Sequence, residues 1–134
     1  VSGLEHTFAA GDLANFPLPN TNRRTRIEHW RVAQEQAKIA AANMMGLELS
    51  YKGVPYFWTY HYGVRYEFFG LVSDENELLI DGDLREPKFI AAYLREGRIE
   101  AIFAANRESE TAKLFDQMQQ TGSLTPDVFR KDFA

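Results

Sequence analysis

The chain has 134 residues, 45% of them hydrophobic and 25% charged, and a formal net charge of −4. This length and composition are typical of one globular domain, or of one domain and part of another, with a buried core. The acidic net charge gives no electrostatic argument for a nucleic-acid partner. The absence of cysteine excludes thiol catalysis, disulfides and Cys-based zinc sites. No apolar run is long enough for a membrane span.

The first 46 residues are predicted to form a strand, a loop and a helix. Residues 6–10 are predicted to be a short buried strand, and Pro17, Pro19 and Asn20 break the segment 11–25 into a loop. Apolar spacings of three and four predict a helix over residues 26–45, ended by Gly46. One face of this helix is mostly alanine, which lets another element approach closely. This face comprises Trp30, Ala33, Ala37, Ala40, Ala41 and Met44.

From residue 47 onward the pattern changes to short strands joined by tight turns, which is typical of antiparallel hairpins. After an aromatic segment over residues 51–62, strands are predicted over 66–72, 77–82, 89–94 and 98–105, with turns at 73–76 and 95–97. A helix is predicted over 108–120, with Ala112, Phe115 and Met118 on its apolar face and Gly122 after its end. Thr125 and Pro126 predict a last short helix over 126–131.

These elements predict an α+β fold, in which an antiparallel sheet with trailing helices follows the last strand–loop–helix of an α/β domain. The domain boundary is predicted between residues 46 and 47.

Residues 8–14 are the most informative stretch, because an apolar strand runs directly into Gly11-Asp12. A carboxylate at the carboxyl end of a strand lies where open α/β sheets hold ligands. No complete βαβ unit precedes it, so we expect the chain to be the C-terminal piece of a larger nucleotide-cofactor protein. A role for Asp12 as a loop or N-cap residue is the alternative. The basic cluster at residues 23–26 is either a solvated loop or a phosphate or partner contact.

Four elements in order resemble one family. They are the 9–12 Gly-Asp element, a helix opened by Glu28-His29-Trp30, the segment 54–59 (Val-Pro-Tyr-Phe-Trp-Thr), and the C-terminal antiparallel sheet with its helix. Together they resemble the C-terminal part of the FAD-dependent pyridine-nucleotide oxidoreductases, which include ferredoxin, putidaredoxin and rubredoxin reductases and apoptosis-inducing factor. The similarity is greatest to the apoptosis-inducing-factor-like branch, which has Glu-His-Trp and Pro-Tyr-x-Trp-Thr at these places.

The resemblance implies cofactor-binding roles for six residues: Gly11, Asp12, Glu28, His29, Trp30 and Trp58. Asp12 would accept a hydrogen bond from a ribityl hydroxyl of FAD. The helix opened by residues 28–30 would pass beside the isoalloxazine ring, with backbone N–H groups near its O2 and N1 edge. Trp58 would pack near the flavin edge and exclude water. The alternatives are core packing for Trp30 and a locally bonded or exposed His29.

The resemblance further implies hydride transfer from NAD(P)H to FAD, followed by electron transfer to a ferredoxin-type protein or a small acceptor. Tyr60-His61-Tyr62 departs from the Ser-Asp-Gln run of many ferredoxin reductases, which leaves the acceptor open. The G-x-G-x-x-G fingerprints of the family are missing. We therefore expect the rest of the parent oxidoreductase as a partner, and no tight FAD binding or turnover by this chain alone.

Other chemistry has little support in the sequence. The three histidines lack metal-ligand spacing with carboxylates, and a protein without cysteine fits a reducing compartment, so we expect the cytoplasm. A second interpretation is a stand-alone α+β interaction module, with the aromatic run 56–62 as a partner or self-association surface. The alanine-rich helix face over 26–45 could also drive self-association if its natural cover is absent.

Overall fold

The computed structural model describes residues 1, 3–19, 23–73 and 76–127. The chain divides into two compact units, Val1–Gly53 and Val54–Ala134. The first contains two short paired strands, β1 (Phe16–Pro17) and β2 (Arg24–Thr25), and the helix α1 (Trp30–Met44). The second contains β3 (Tyr56–His61), β4 (Val64–Gly70), β5 (Glu77–Asp83), β6 (Lys88–Arg95), β7 (Arg98–Ala105) and the helix α2 (Glu108–Thr121).

The second unit is a five-stranded antiparallel sheet in the order β3-β4-β7-β6-β5. One face of the sheet packs on α2 and forms the main core, which includes Phe69, Ile90, Ile99, Ile102, Leu114, Met118 and Leu124. On the opposite face, Phe89, Ala91 and Ala105 are buried beneath half-buried aromatic side chains. The predicted α+β fold with an antiparallel sheet is confirmed, and the turn predicted at 95–97 joins the paired strands β6 and β7. The hairpin implied by the turn predicted at 73–76 is wrong, because β4 pairs with β3 and β7 and is not a neighbour of β5.

Gly70 ends β4 where the chain passes close to β7. Its φ of +93° lies in the left-handed region, and a Cβ added there would lie 2.1 Å from the Glu100 carbonyl oxygen. Glycine is therefore required at this position for both backbone conformation and space.

Helix α1 starts later than its sequence prediction. It begins at Trp30 rather than residue 26, because His29 adopts an extended conformation and caps the first turn. The buried residues are Val32 and Gln36, which lie on a different face from the alanine-rich one. Most of the alanine-rich face is exposed, including Trp30, Ala37, Ala41 and Met44. Within the described residues this face therefore lacks a cover.

The predicted strand over residues 6–10 is wrong. His6 has a φ of +53°, and within the described part of the chain no strand pairs with this segment. A strand needs a neighbour to satisfy its backbone groups, and the apolar pattern does not supply one. The only strand pair of the first unit's described residues, β1 with β2, lies inside the predicted loop instead.

The α2 prediction is confirmed in position, and Gly122 ends the helix in the left-handed conformation. Its inward residues are Thr111, Leu114 and Met118, with Phe115 half-buried, whereas Ala112 is exposed. Most of the predicted helix over 126–131, the centre of the predicted turn 73–76, and Asn20 of the predicted loop lie outside the described residues. Among the described helices, none is long and apolar enough to cross a lipid bilayer.

Candidate functional site

The Gly11-Asp12 element forms an ordered turn that is tied to α1. Gly11 has a φ of +82°, and its carbonyl accepts a 2.9 Å hydrogen bond from the Ala14 N–H. The Gly11 N–H donates to Oε1 of Gln36 at 2.7 Å. Asp12, next in the chain, is exposed. The turn thus presents a carboxylate from a fixed backbone position.

Gln36 in α1 is a residue to which sequence reasoning assigned no role. Its side chain is only 6% exposed, and its Nε2 has no hydrogen-bond partner among the described residues. It lines a groove of about 630 Å³ together with Phe8, Ala9, Leu13, Ile39 and Tyr51. A buried amide N–H without a partner is costly, so the site suits an acceptor from outside the unit. The sequence contains one signal for Gln36, which is a polar residue on the helical stripe that also carries Val32 and Ile39.

The N-terminus of α1 is closed by His29. Its Nδ1 accepts a 3.2 Å hydrogen bond from the Arg31 N–H, and its carbonyl accepts from the Ala33 N–H at 3.0 Å. Burial, followed by the charge of Arg31, lowers the pKa of His29 below 6.5. Glu28 is exposed, and Trp30 stacks on His29 with ring centroids 5.8 Å apart while remaining 60% exposed. His29 is thus locally bonded, and Trp30 lies at the surface of its unit rather than in its core.

The cap predicts a pH dependence of α1. Only the neutral imidazole accepts the Arg31 N–H, and the unfolded chain binds a proton at higher pH than the folded chain does. The contribution of His29 to stability is therefore present above pH 6.5 and is lost as the pH falls from there through the lower folded pKa. We expect His29→Asn, which keeps a non-titrating cap acceptor, to lose less thermal stability than the unchanged chain between about pH 7.5 and about pH 5.5.

Circular dichroism melting at the two pH values measures this effect. His61→Asn, which replaces an exposed imidazole outside α1, serves as the control and should keep the original pH dependence. An identical pH dependence for His29→Asn and the unchanged chain would contradict the assignment of the cap.

Trp58 lies in the second unit, on the β3–β4 hairpin. The strand pairing sets Trp58 opposite Glu67 and Tyr60 opposite Arg65, so these four side chains share one face of the sheet. The Arg65 guanidinium carbon lies 5.1 Å from the centroid of the Trp58 ring and 5.5 Å from that of Tyr60. Trp58 remains 44% exposed. Its indole is thus covered by a cation on one side and accessible on another.

A buried carboxylate holds this arginine in place. Nη2 of Arg65 lies 2.9 Å from Oε1 of Glu67, whose side chain is 7% exposed. The same guanidinium donates to the hydroxyls of Tyr56 at 3.1 Å and Tyr60 at 3.3 Å. The Thr111 hydroxyl on α2 donates to the other oxygen of Glu67. We call Trp58, Tyr60, Tyr56, Arg65, Glu67 and Thr111 the arginine cluster.

Burial and hydrogen bonding act in opposite directions on the pKa of Glu67. Burial raises the pKa of its carboxyl, but hydrogen bonds from Thr111, Tyr56 and Arg65 outweigh burial and hold the pKa below 4.5. Hydrogen bonds, that to Tyr60 first, raise the pKa of Arg65 above its usual value. The pair is therefore ionised throughout the neutral range. Sequence reasoning missed both residues, although two charged side chains on the strand face that also carries Phe69 indicate a buried charged pair.

Of the six predicted cofactor residues, five lie in the first unit and Trp58 lies in the second. The structure brings Gly11 and Asp12 to one turn bonded to α1, and it places Glu28, His29 and Trp30 at the N-terminus of that helix. No cluster of histidines and carboxylates suited to a metal ion occurs among the described residues.

Comparisons with known proteins show that the chain is similar to the C-terminal parts of reductases. The family model described as "Reductase C-terminal" matches residues 56–132. The chain is 36% identical over 108 residues to apoptosis-inducing factor 3 of Mus musculus, covering 80% of this chain and 18% of that protein. It is 34% identical over 100 residues to the ferredoxin–NAD(+) reductase component of the anthranilate 1,2-dioxygenase system of Burkholderia cepacia, covering 74% of this chain and 25% of that protein.

Solved structures show the same similarity. The chain matches a covalent putidaredoxin reductase–putidaredoxin complex with a TM-score of 0.71 and 32% identity, over 83% of this chain and 26% of that chain. It matches a ferredoxin reductase from Rhodopseudomonas palustris with a TM-score of 0.75 and 26% identity, over 88% of this chain and 29% of that chain. This chain therefore spans less than a third of the length of each of these proteins.

Proposed function

This chain belongs to the reductase C-terminal family, and we propose that it forms the C-terminal part of an FAD-dependent NAD(P)H oxidoreductase that passes electrons to a ferredoxin-type protein or a small acceptor. In this proposal residues 1–46 complete an FAD-binding domain, and residues 47–134 form the C-terminal interface domain. The relatives named as ferredoxin–NAD(+) reductases support this reaction class. The rest of the parent oxidoreductase is then the first partner of this chain.

The geometry of the Gly11–Gln36 contact carries the cofactor assignment. The exposed carboxylate of Asp12 follows Gly11, whose N–H donates to the buried side chain of Gln36. The Nε2 group of Gln36 is buried and can donate to an acceptor from outside the unit. Asp12 can accept from a hydroxyl, whereas Gln36 Nε2 can donate to an oxygen. A ribityl chain offers both kinds of group, so these residues fit the flavin.

The remaining predicted residues would orient and enclose the ring. Trp30 begins α1, His29 caps it and Glu28 precedes the cap; the N-terminus of a helix favours negative charge. The accessible side of Trp58 offers apolar surface that excludes water from a ring packed against it. When bound, a flavin supplies the exchange between two-electron and one-electron transfer that this reaction class requires.

A second candidate is an interaction module without catalysis. Tyr62 at the tip of the β3–β4 hairpin is fully exposed, and Tyr60 is also exposed. Exposed aromatic side chains at a hairpin tip are suited to a protein partner. This candidate would hold if a flavoprotein carrying the chain kept full flavin content and turnover after changes at Asp12 and Trp58.

The test of the proposed function is a comparison of variants in the flavoprotein that carries this chain. We expect Asp12→Ala to weaken FAD retention by about 1–3 kcal/mol, because a buried hydroxyl loses a charged acceptor. Trp58→Ala should retain more flavin, since it removes packing at one ring edge only, and should instead lower turnover. Flavin absorbance after dialysis and turnover with an artificial acceptor are the measurements.

Glu48→Ala is the control, because Glu48 is an exposed carboxylate of the first unit outside the turn and the groove. It should retain flavin like the unchanged protein. Loss of flavin from the tryptophan variant together with full retention by the aspartate variant would show that Asp12 does not make the ribityl contact. Tight stoichiometric FAD binding by the 134-residue chain alone would contradict the division of the site between this chain and the rest of the parent.

A further inference from the structure

We propose that Arg65 is a positioning residue for Trp58: it fixes the orientation of the indole and keeps one of its sides covered. The inference rests on the proposed role of Trp58 beside the cofactor, and it adds a residue that the sequence did not indicate. It follows from the position of the guanidinium, which lies 5.1 Å from the Trp58 ring centroid. An arginine at this distance over an indole is attracted by the ring and limits its motion.

The arginine can fix the indole only if the arginine is itself held. Its N–H groups, which lie in the plane of the guanidinium, donate to Glu67, Tyr56 and Tyr60. The flat face of the guanidinium is therefore left for stacking. Glu67 is in turn bonded by Thr111, which belongs to α2. Trp58 is thereby connected through Arg65 and Glu67 to the packed helix, although it lies on the edge strand β3.

Lysine cannot reproduce this arrangement fully. An ammonium group keeps the positive charge, but it is compact and strongly hydrated and offers no planar face. Lysine at this position should therefore hold the indole less well than arginine, and better than an uncharged side chain. If arginine, lysine and an uncharged side chain hold the indole in this decreasing order, the cation positions the ring. Simple filling of space would not produce this order.

The experiment uses the 134-residue chain with Trp30→Phe, so that Trp58 is the only tryptophan. Arg65→Met alone leaves a buried carboxylate unpaired and is destabilising, so the test variant is the pair Arg65→Met and Glu67→Gln, compared with Glu67→Gln alone. Acrylamide quenching and the anisotropy decay of Trp58 fluorescence are measured, with circular dichroism to verify folding. We expect the quenching constant to rise roughly two-fold and the indole to move faster in the test variant, because one side loses its cover.

Arg65→Lys should give values between those of the unchanged chain and the test variant. Arg85→Met, which removes an exposed arginine from the β5–β6 turn, is the matched control and should change neither measurement. If the folded test variant shows the same quenching and anisotropy as Glu67→Gln alone, Arg65 does not position Trp58 and the inference is overturned.

Turnover in the flavoprotein separates this inference from the proposed function. If Arg65 positions Trp58 for the reaction, the test variant lowers kcat several-fold more than Glu67→Gln alone does, with little change in KM for NADH, and Arg65→Lys restores part of it. A fluorescence response without any change in kcat would support the positioning of Trp58 and would overturn the role of Trp58 in the proposed reaction.

Discussion

Gly70→Ala is expected to destabilise the second unit by about 3–5 kcal/mol, since it adds left-handed backbone strain to a collision between main chains. The added Cβ would lie 2.1 Å from the Glu100 oxygen and 2.7 Å from the Cα of Ala101. Both are backbone atoms of β7, so relief requires separating β4 from the central strand of the sheet. Urea denaturation followed by circular dichroism measures the loss.

Gly97→Ala provides the matched control. Gly97 also has a left-handed φ, +74°, but a Cβ there would meet no atom within 4 Å. We expect a loss of only about 1–2 kcal/mol, the cost of the backbone conformation alone. Equal losses for the two variants would mean that the close approach at Gly70 does not determine the stability of the sheet.

Glu67→Ala is expected to cost about 3–5 kcal/mol, because it leaves the Arg65 guanidinium partly buried without its carboxylate. It also removes the acceptor for the hydroxyls of Tyr56 and Thr111. Glu67→Gln keeps the shape and a carbonyl acceptor and should cost clearly less. Denaturant midpoints for both variants give the comparison.

The exposed pair of Asp83 and Arg85 supplies the control, with side chains 45% and 89% exposed. Asp83→Ala also removes a carboxylate that is hydrogen-bonded to an arginine, but this pair is exposed to water. The change should therefore alter the stability little. A loss for Glu67→Ala as small as that for Asp83→Ala would contradict the structural role of the arginine cluster.

The dependence of stability on acid pH is a second test of the role of Glu67. Because the folded pKa of Glu67 lies below 4.5, its ionised form stabilises the folded chain above the unfolded pKa, and this contribution is lost as the pH falls through the folded value. The difference in stability between the unchanged chain and Glu67→Gln should therefore be constant at neutral pH and shrink below about pH 4.5.

The sequence by itself determined most of the strands of the second unit and the end of its helix, but not the order of the strands. Short β-rich runs predicted four of its five strands, the turn at 95–97 predicted the hairpin of β6 with β7, and Gly122 marked the end of α2, all of which the structure shows. The turn predicted at 73–76 implied a hairpin of β4 with β5, but β4 pairs with β3 and β7 and is not a neighbour of β5. The signals that were right are local, whereas the pairing of β4 with β7 joins segments that are distant in the chain. The aromatic segment became β3, whose partner β4 follows after a two-residue turn.

Only the tertiary structure decided how the first unit packs and how the arginine cluster forms. The alanine-rich pattern of α1 is compatible with several faces, and the contact of Gln36 with Gly11 joins residues 25 positions apart. Thr111 and Glu67 are 44 positions apart and meet because α2 covers the strand that carries Glu67. Periodicity reports which face of an element is apolar, but a bond between distant polar groups depends on the distance and orientation that packing imposes, and no local pattern encodes those.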